Sequence, residues 1–164
     1  MQESYPEATI RENLEQGVWP VPSHSSNRYW SIADDVRSAL QSETESIPSQ
    51  LRILAVGASF GDPLAEFAQA LRSQSEWSIE TIALDVNPYA VHNARQRENA
   101  DIAIQAMAQQ VPLAAESVDI VIAKRLLAFL NPADQSQSLC EIERVLAPAG
   151  VAVVELDPVG TSSL

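Results

Sequence analysis

From Leu51 onward the apolar residues change period again and again, and few folds are open to a chain that does so. The run Leu51-Arg52-Ile53-Leu54-Ala55-Val56 is short and almost wholly apolar, as a strand buried on both faces requires. Leu64, Phe67, Ala68 and Leu71 follow at spacings of three and four, which predicts a helix with one buried face. Asp62 suits the N-cap of that helix and Pro63 its first turn. The alternation then repeats through strand Ile79 to Leu84, a helix from Pro88 to about Asn99 and a short strand from Ile102 to Gln105. After a loop through Pro112 come strand Val118 to Ala123, a helix from about Pro132 to Leu146, and strand Val151 to Leu156. Leu139, Ile142, Val145 and Leu146 are expected on the inner face of the last helix, with Cys140 as a small core residue and Pro148 and Gly150 ending it. Such a series implies an α/β domain with a parallel, doubly wound sheet, because right-handed crossovers pack helices on both faces.

Residues 1–50 read differently. Pro6, Pro20 and Pro22, the run Ser23-His24-Ser25-Ser26 and the aromatics Tyr5, Trp19, Tyr29 and Trp30 predict an arm with a short helix at about Glu7 to Glu15. Ser31 with Asp34 resembles a capping box, and Ile32, Val36, Ala39 and Leu40 carry helical spacing to about Ser42. A polar linker, Gln41 to Gln50, leads to the first strand. The division is an arm and helix over 1–50 and an α/β core over 51–164, forming one compact domain by length.

Charge narrows the partners. With 10 basic against 22 acidic residues the net charge is -12, so the long-range field repels phosphate backbones and anionic lipid, and neither nucleic acid nor membrane is expected. The single cysteine excludes an intrachain disulfide framework, and no apolar run nears the ~18 residues of a membrane span. Met1 to Pro6 lack a basic-then-apolar signal, so a cytoplasmic location is expected. No cluster of histidine, cysteine and carboxylates has metal-ligand spacing, so no metal is expected.

The turn Gly57-Ala58-Ser59-Phe60-Gly61 has three readings: a serine nucleophile elbow, a nucleotide-binding turn, or tight strand-to-helix packing. A hydrolase of that kind needs several strands before its serine and a histidine late in the chain, whereas here an arm and a helix precede Ser59 and the histidines are His24 and His92. The nucleotide reading gains from Asp85, which ends the second strand. In a doubly wound sheet an acid there can accept hydrogen bonds from ribose hydroxyls, since ligands sit over the carboxyl ends of the strands. Asp85 also suits the N-cap of the helix that follows.

Four stretches carry a family likeness: Ile53 to Gly61, Ala83 to Ala90, Val111 to Val121 and Glu141 to Gly150. In order and spacing the chain resembles the class I S-adenosylmethionine-dependent methyltransferases, particularly the small type 11 or UbiE-like group, over about Leu51 to Leu156. The resemblance implies a Rossmann-like sheet of five strands in the order 3-2-1-4-5, the cofactor S-adenosylmethionine, and methyl transfer to a small-molecule acceptor. It implies cofactor contacts from Gly57, Ser59, Gly61, Asp85, Val86 and Met107. It departs from the family's pattern at three places: Ala55 replaces an acid, Ser59 the middle glycine, and Met107 an acid that would accept from adenine. A non-catalytic binding or dimerisation module is the alternative those departures leave.

On the acceptor side stand Lys124 and Arg125 after the fourth strand, which suit surface ion pairs in so acidic a chain or, as the functional reading, an anionic acceptor. His24, Tyr29 and Trp30 on the arm are candidates for a base and for closure over a ligand, or for a solvated residue and anchors. Val151 to Val154 should form an open, apolar sheet edge. Such an edge calls for cover, from the arm or from a homodimer through this strand or the adjoining helix.

Overall fold

The computed structural model describes residues 26–43 and 49–155, the side chains of 26–31 and 43 excepted. The arm helix expected at Glu7 to Glu15 lies outside the described residues. Helix α1 spans Ser26–Glu43, β1 Gln50–Val56, α2 Asp62–Gln74, β2 Ser78–Asp85, α3 Pro88–Gln96, β3 Ile102–Gln105 and β4 Val118–Lys124. A short 3-10 turn, Leu126–Phe129, precedes α4, Pro132–Val145, and β5, Leu146–Glu155. The five strands form one sheet in the order β3-β2-β1-β4-β5, with every pair parallel.

Strand alternation divides the core in two. Leu51, Ile53 and Ala55 of β1 join Ala33, Val36 and Leu40 of α1, Leu64, Phe67 and Leu71 of α2, and Val91 and Ala94 of α3 on one face. Leu54 and Val56 join Ala108, Val111, Ile142 and Val145 on the other, beneath α4 and the loop before β4. The register runs from Gln50 opposite Ser78 to Val56 opposite Leu84, so β1 and β2 end level with each other.

Several boundaries differ from the sequence expectations, each for a local reason. Helix α1 is under way by Ser26 and runs to Glu43, which puts Ser31 inside it rather than at its cap. The N-cap of α2 is Gly61, in the left-handed region at φ 79, and Asp62 is the first helical residue. The helix expected to reach Asn99 stops at Gln96, because Glu98 turns left-handed (φ 56). The N–H groups of Glu98 and Asn99 then return to the carbonyls of Arg95 and Ala94 at 3.2 and 3.0 Å. In α4 the inner stripe is Ser138, Ile142 and Val145. Leu139 lies one residue, about 100°, round the helix from it, and is 42% exposed. Cys140, further round still, is exposed as well.

Helix α4 passes directly into β5. Val118 pairs with Leu146 and Ile120 with Val151, so two steps along β4 match five along β5 and the surplus bulges at Ala147 to Gly150. Gly150 is required there by proximity, since a Cβ would lie 2.7 Å from Leu146 Cδ1 and 2.9 Å from the Ala147 carbonyl oxygen.

The crossover from β3 to β4 has no helix of its own. Ionic and backbone contacts from α4 fix it: Glu141 accepts from the Val111 N–H at 2.8 Å, and Arg144 donates to the carbonyls of Val111 (2.8 Å) and Leu113 (2.9 Å). Arg144 and Glu141 are themselves paired at 2.7 Å. The Arg144 guanidinium holds the Glu141 carboxyl below its ordinary value, and the Val111 N–H adds to the effect.

Gly150→Ala should destabilise the fold by about 1–3 kcal/mol, as overpacking does, measured by the urea midpoint. A carboxyl whose folded pKa is lowered contributes stability above its unfolded value and loses it as pH falls through the folded value. Glu141→Gln should therefore melt below the parent chain at pH 7, and the gap should close as pH drops below about 4.5, the ordinary glutamate value.

Candidate functional site at the glycine turn

Because all strands are parallel, the carboxyl ends of β1, β2, β3 and β4 share one edge of the sheet. The turn after β1 is built from left-handed residues: Gly57 at φ 70, Ser59 at φ 52 and Gly61 at φ 79. Gly57 and Ala58 both donate to the carbonyl of Leu84, at 2.9 and 3.0 Å, which draws the turn over the end of β2. Ser59 then donates its backbone N–H to Asp85 Oδ2 at 2.8 Å, and Asn87 donates its own to Oδ1 at 2.9 Å. Asp85 is therefore a brace between the glycine turn and the start of α3. Burial raises its pKa above the ordinary value, against the N–H groups of Asn87, Ser59 and Val86, which lower it.

The cap role that the sequence offered to Asp85 belongs to Asn87, whose Oδ1 accepts from the Tyr89 N–H at 3.0 Å. Its Nδ2 is buried and has no hydrogen-bond partner among the described residues, a donor beside Asp85 that the sequence did not signal. Val86 and Met107 follow β2 and β3, are each 52% exposed, and present apolar side chains on neighbouring strands. The backbone joins these strand ends through the Ala106 N–H to the Asp85 carbonyl at 3.1 Å. Gly57, Ser59, Gly61, Asp85, Val86 and Met107 are thus brought to one region, with Ala55 buried beneath.

Further contacts at this turn were not legible beforehand. A Cβ on Gly57 would sit 3.1 Å from Leu126 Cδ1, so the 3-10 turn after β4 closes against the first glycine. Asn99 donates to the Phe60 carbonyl at 2.9 Å and to Asp62 Oδ1 at 2.8 Å, holding the exit of the turn. Phe60 meets Tyr89 edge-on, with ring centroids 6.0 Å apart, and Arg97 lies 5.3 Å from the Phe60 centroid.

On the acceptor side, Lys124 ends β4 and pairs with Glu155 of β5 at 3.7 Å. Arg125, left-handed at φ 58, begins the 3-10 turn and donates its N–H to the Glu155 carbonyl at 3.3 Å. Tyr29 and Trp30 fall near the start of α1, the end away from its connection to β1. His24 lies outside the described residues, and His92 is exposed on α3. Among the described residues there is no group of histidine, cysteine and carboxylates fit to hold a metal, and no helix long and apolar enough to cross a membrane.

A parallel sheet in this order, a left-handed glycine turn after its first strand and an acid ending its second are the marks of a methyltransferase domain. The chain belongs to the family described as methyltransferase domain, which matches residues 54–154. No curated protein matches it. Among solved structures it is similar to a TehB-like S-adenosylmethionine-dependent methyltransferase of Corynebacterium glutamicum, at 16% identity and TM-score 0.58, covering 90% of this chain and 68% of that one. A protein of Methanococcus maripaludis described as an S-adenosyl-L-methionine-dependent methyltransferase matches at 13% identity and TM-score 0.53, over 84% of this chain and 67% of that one. Both likenesses are of fold. A Haloferax volcanii protein described as a methyltransferase, solved with the Trm112 methyltransferase activator, shares 26% identity at TM-score 0.51, over 76% of this chain and 54% of that one. The chain thus spans between about half and two thirds of the length of these proteins.

Ser59 occupies a left-handed conformation that costs an L-residue about 1–2 kcal/mol. Glycine escapes that cost and gives back about 0.4–1 kcal/mol through the entropy of the unfolded chain. Ser59→Gly should therefore stabilise the ligand-free protein by about 0.5–1 kcal/mol, read from chemical denaturation.

Proposed function

We propose that this chain binds S-adenosylmethionine over the carboxyl ends of β1, β2 and β3 and transfers its methyl group to a small-molecule acceptor. The observation that carries the reading is the placement of Asp85. Its two oxygens have about four lone-pair sites, and the two close N–H donors, Ser59 and Asn87, leave each oxygen able to accept again. A ribose diol matches that capacity. Val86 and Met107 offer apolar surface for the faces of a flat base, and Gly57 and Gly61 hold the left-handed turn that carries the backbone past the strand ends. When bound, the cofactor supplies an electrophilic methyl on a sulfonium; transfer to a good nucleophile then asks mainly for positioning and exclusion of water.

On the acceptor side we assign Lys124 and Arg125, with His24, Tyr29 and Trp30 contributed from the N-terminal region. The pairing of Lys124 with Glu155 tempers its pull on an anion. A net charge of -12 favours a small acceptor over a polyanionic one.

The second reading, a member of the family without catalysis, draws support from Met107 and Leu126. Met107 has no acceptor for the amino group of adenine, and Leu126 packs against Gly57 where a ligand would approach. Two lost hydrogen bonds, at Ala55 and Met107, cost about 1–3 kcal/mol together, roughly a 5- to 150-fold loss of affinity.

Calorimetric titration of the full chain with S-adenosylmethionine and S-adenosylhomocysteine separates the two readings. Saturable heat that disappears in Asp85→Ala and persists in Ser59→Ala is the expected result. No heat at millimolar ligand would sink the enzyme and leave the module.

A further inference from the structure

Beside Met107 lies a cleft that the cofactor contacts assigned above leave unused. It has a volume of about 440 Å³ and is lined by Met107, Gln109, Gln110, Asp134 and Gln137, which falls within the range of small-molecule sites. One wall is the loop that follows β3, and the other is the first two turns of α4. Both walls are tied. Gln110 donates its N–H to the Met107 carbonyl at 3.1 Å, and the Gln137 amide reaches from α4 to the Gln109 carbonyl at 3.3 Å. Just beyond, Glu141 holds the Val111 N–H at 2.8 Å.

Asp134 is oriented within this frame by Asn131, the N-cap of α4, with which it exchanges two hydrogen bonds. Its N–H donates to Asn131 Oδ1 at 3.0 Å, and Asn131 Nδ2 donates to Asp134 Oδ2 at 2.6 Å. Oδ1 has no partner among the described residues. A half-buried carboxyl with one oxygen fixed and the other unused therefore lines the cleft.

Strand order tells which part of a nucleoside meets this cleft. The sheet runs β3-β2-β1-β4. A ligand with its ribose on Asp85, at the end of β2, and its sulfonium toward the acceptor residues, at the end of β4, extends its base the other way, over the end of β3 and toward Met107. Met107 is at best a weak acceptor, and the three glutamine amides both donate and accept, so they do not tell an amino group from a carbonyl. Asp134 does, because an ionised carboxylate only accepts. An amino group on the base satisfies it, whereas a carbonyl oxygen in the same place meets a lone pair.

We propose that Asp134 of α4, across the cleft from Met107, accepts from the exocyclic amino group of adenine and is the residue that selects the base. This rests on the reading of the site as one for S-adenosylmethionine. It places on α4 the contact that the departure at position 107 removes from the end of β3.

Calorimetric titration of the full chain with S-adenosylhomocysteine and with S-inosylhomocysteine, which carries a carbonyl in place of the amino group, tests the assignment. The parent chain should bind the adenosyl compound at least about tenfold more tightly, as one hydrogen bond to a charged group allows. Asp134→Asn keeps the shape and offers a donor as well as an acceptor, so the two affinities should converge to within about threefold. The ratio of two ligands on one chain does not depend on the fraction folded, and circular dichroism verifies the variant. Adding Met107→Asp to the Asp134→Asn chain should return the preference for the adenosyl compound, by supplying an acid from the end of β3. If the parent binds neither compound at millimolar concentration, the cofactor reading falls and this assignment with it. If the parent binds the adenosyl compound without favouring it, or Asp134→Asn discriminates as the parent does, Asp134 only caps its helix, and the cofactor reading stands. Should Asp134→Asn bind neither compound, the double variant decides: adenosyl binding that returns upholds the assignment, and binding that stays lost overturns it.

Discussion

A strand buried on both faces has only its two sides on which to satisfy its peptide groups. In β1, Leu51, Ile53, Leu54, Ala55 and Val56 are all buried. Two parallel neighbours, β2 and β4, therefore flank it, and apolar layers cover it above and below. Polar chemistry is expelled to the strand ends. There the first free N–H groups, of Gly57 and Ala58, turn back to Leu84, and that turn brings Ser59 within reach of Asp85. The candidate site is thus the place where a strand buried on both faces meets solvent.

The two coverings of the sheet are made differently. Three helices, α1 to α3, lie on one face, each with an apolar stripe in the first core cluster. On the other, one helix and a loop do the same task. A loop is a poor layer unless its peptide groups are paired, and the Arg144–Glu141 pair supplies partners at Val111 and Leu113 while Ser117 donates to the Val145 carbonyl at 2.8 Å. The pair is half exposed, with side-chain exposures of 37% and 19%, so its worth lies in fixing the loop more than in its charge attraction.

The limits of β1 to β4 were legible in the sequence to within one residue, because full burial leaves an unbroken apolar run that turn residues end, whereas β5 begins at Leu146, five residues before the expected Val151, since its bulge takes Pro148 and Gly150 into the strand. Gly57, Gly61 and Asp85 were legible for a related reason: backbone conformation and strand position restrict the residue types that fit. The inner face of α4 was not, since one of its three buried positions is Ser138, and a reading by hydrophobicity slides the stripe to Leu139. Residues matched by long-range contact were also hidden. Leu126 against Gly57 and Asn99 against Phe60 span 69 and 39 positions of chain with nothing in their types to join them. The strand order came from the family resemblance, because alternation fixes the layers of such a fold and leaves the sequence of its strands open.

Every close donor that fixes Asp85 is a peptide N–H. Side-chain replacement at positions 59 and 87 leaves such a donor in place unless the newcomer is proline. The carboxylate is therefore insulated from drift in its surroundings: Ala55, Ser59 and Met107 can each be replaced without removing the donors that hold the group at the centre. That decoupling makes the end of the sheet easy to re-specify, since selection can rewrite the side chains around Asp85 one residue at a time on a frame that does not register the edits.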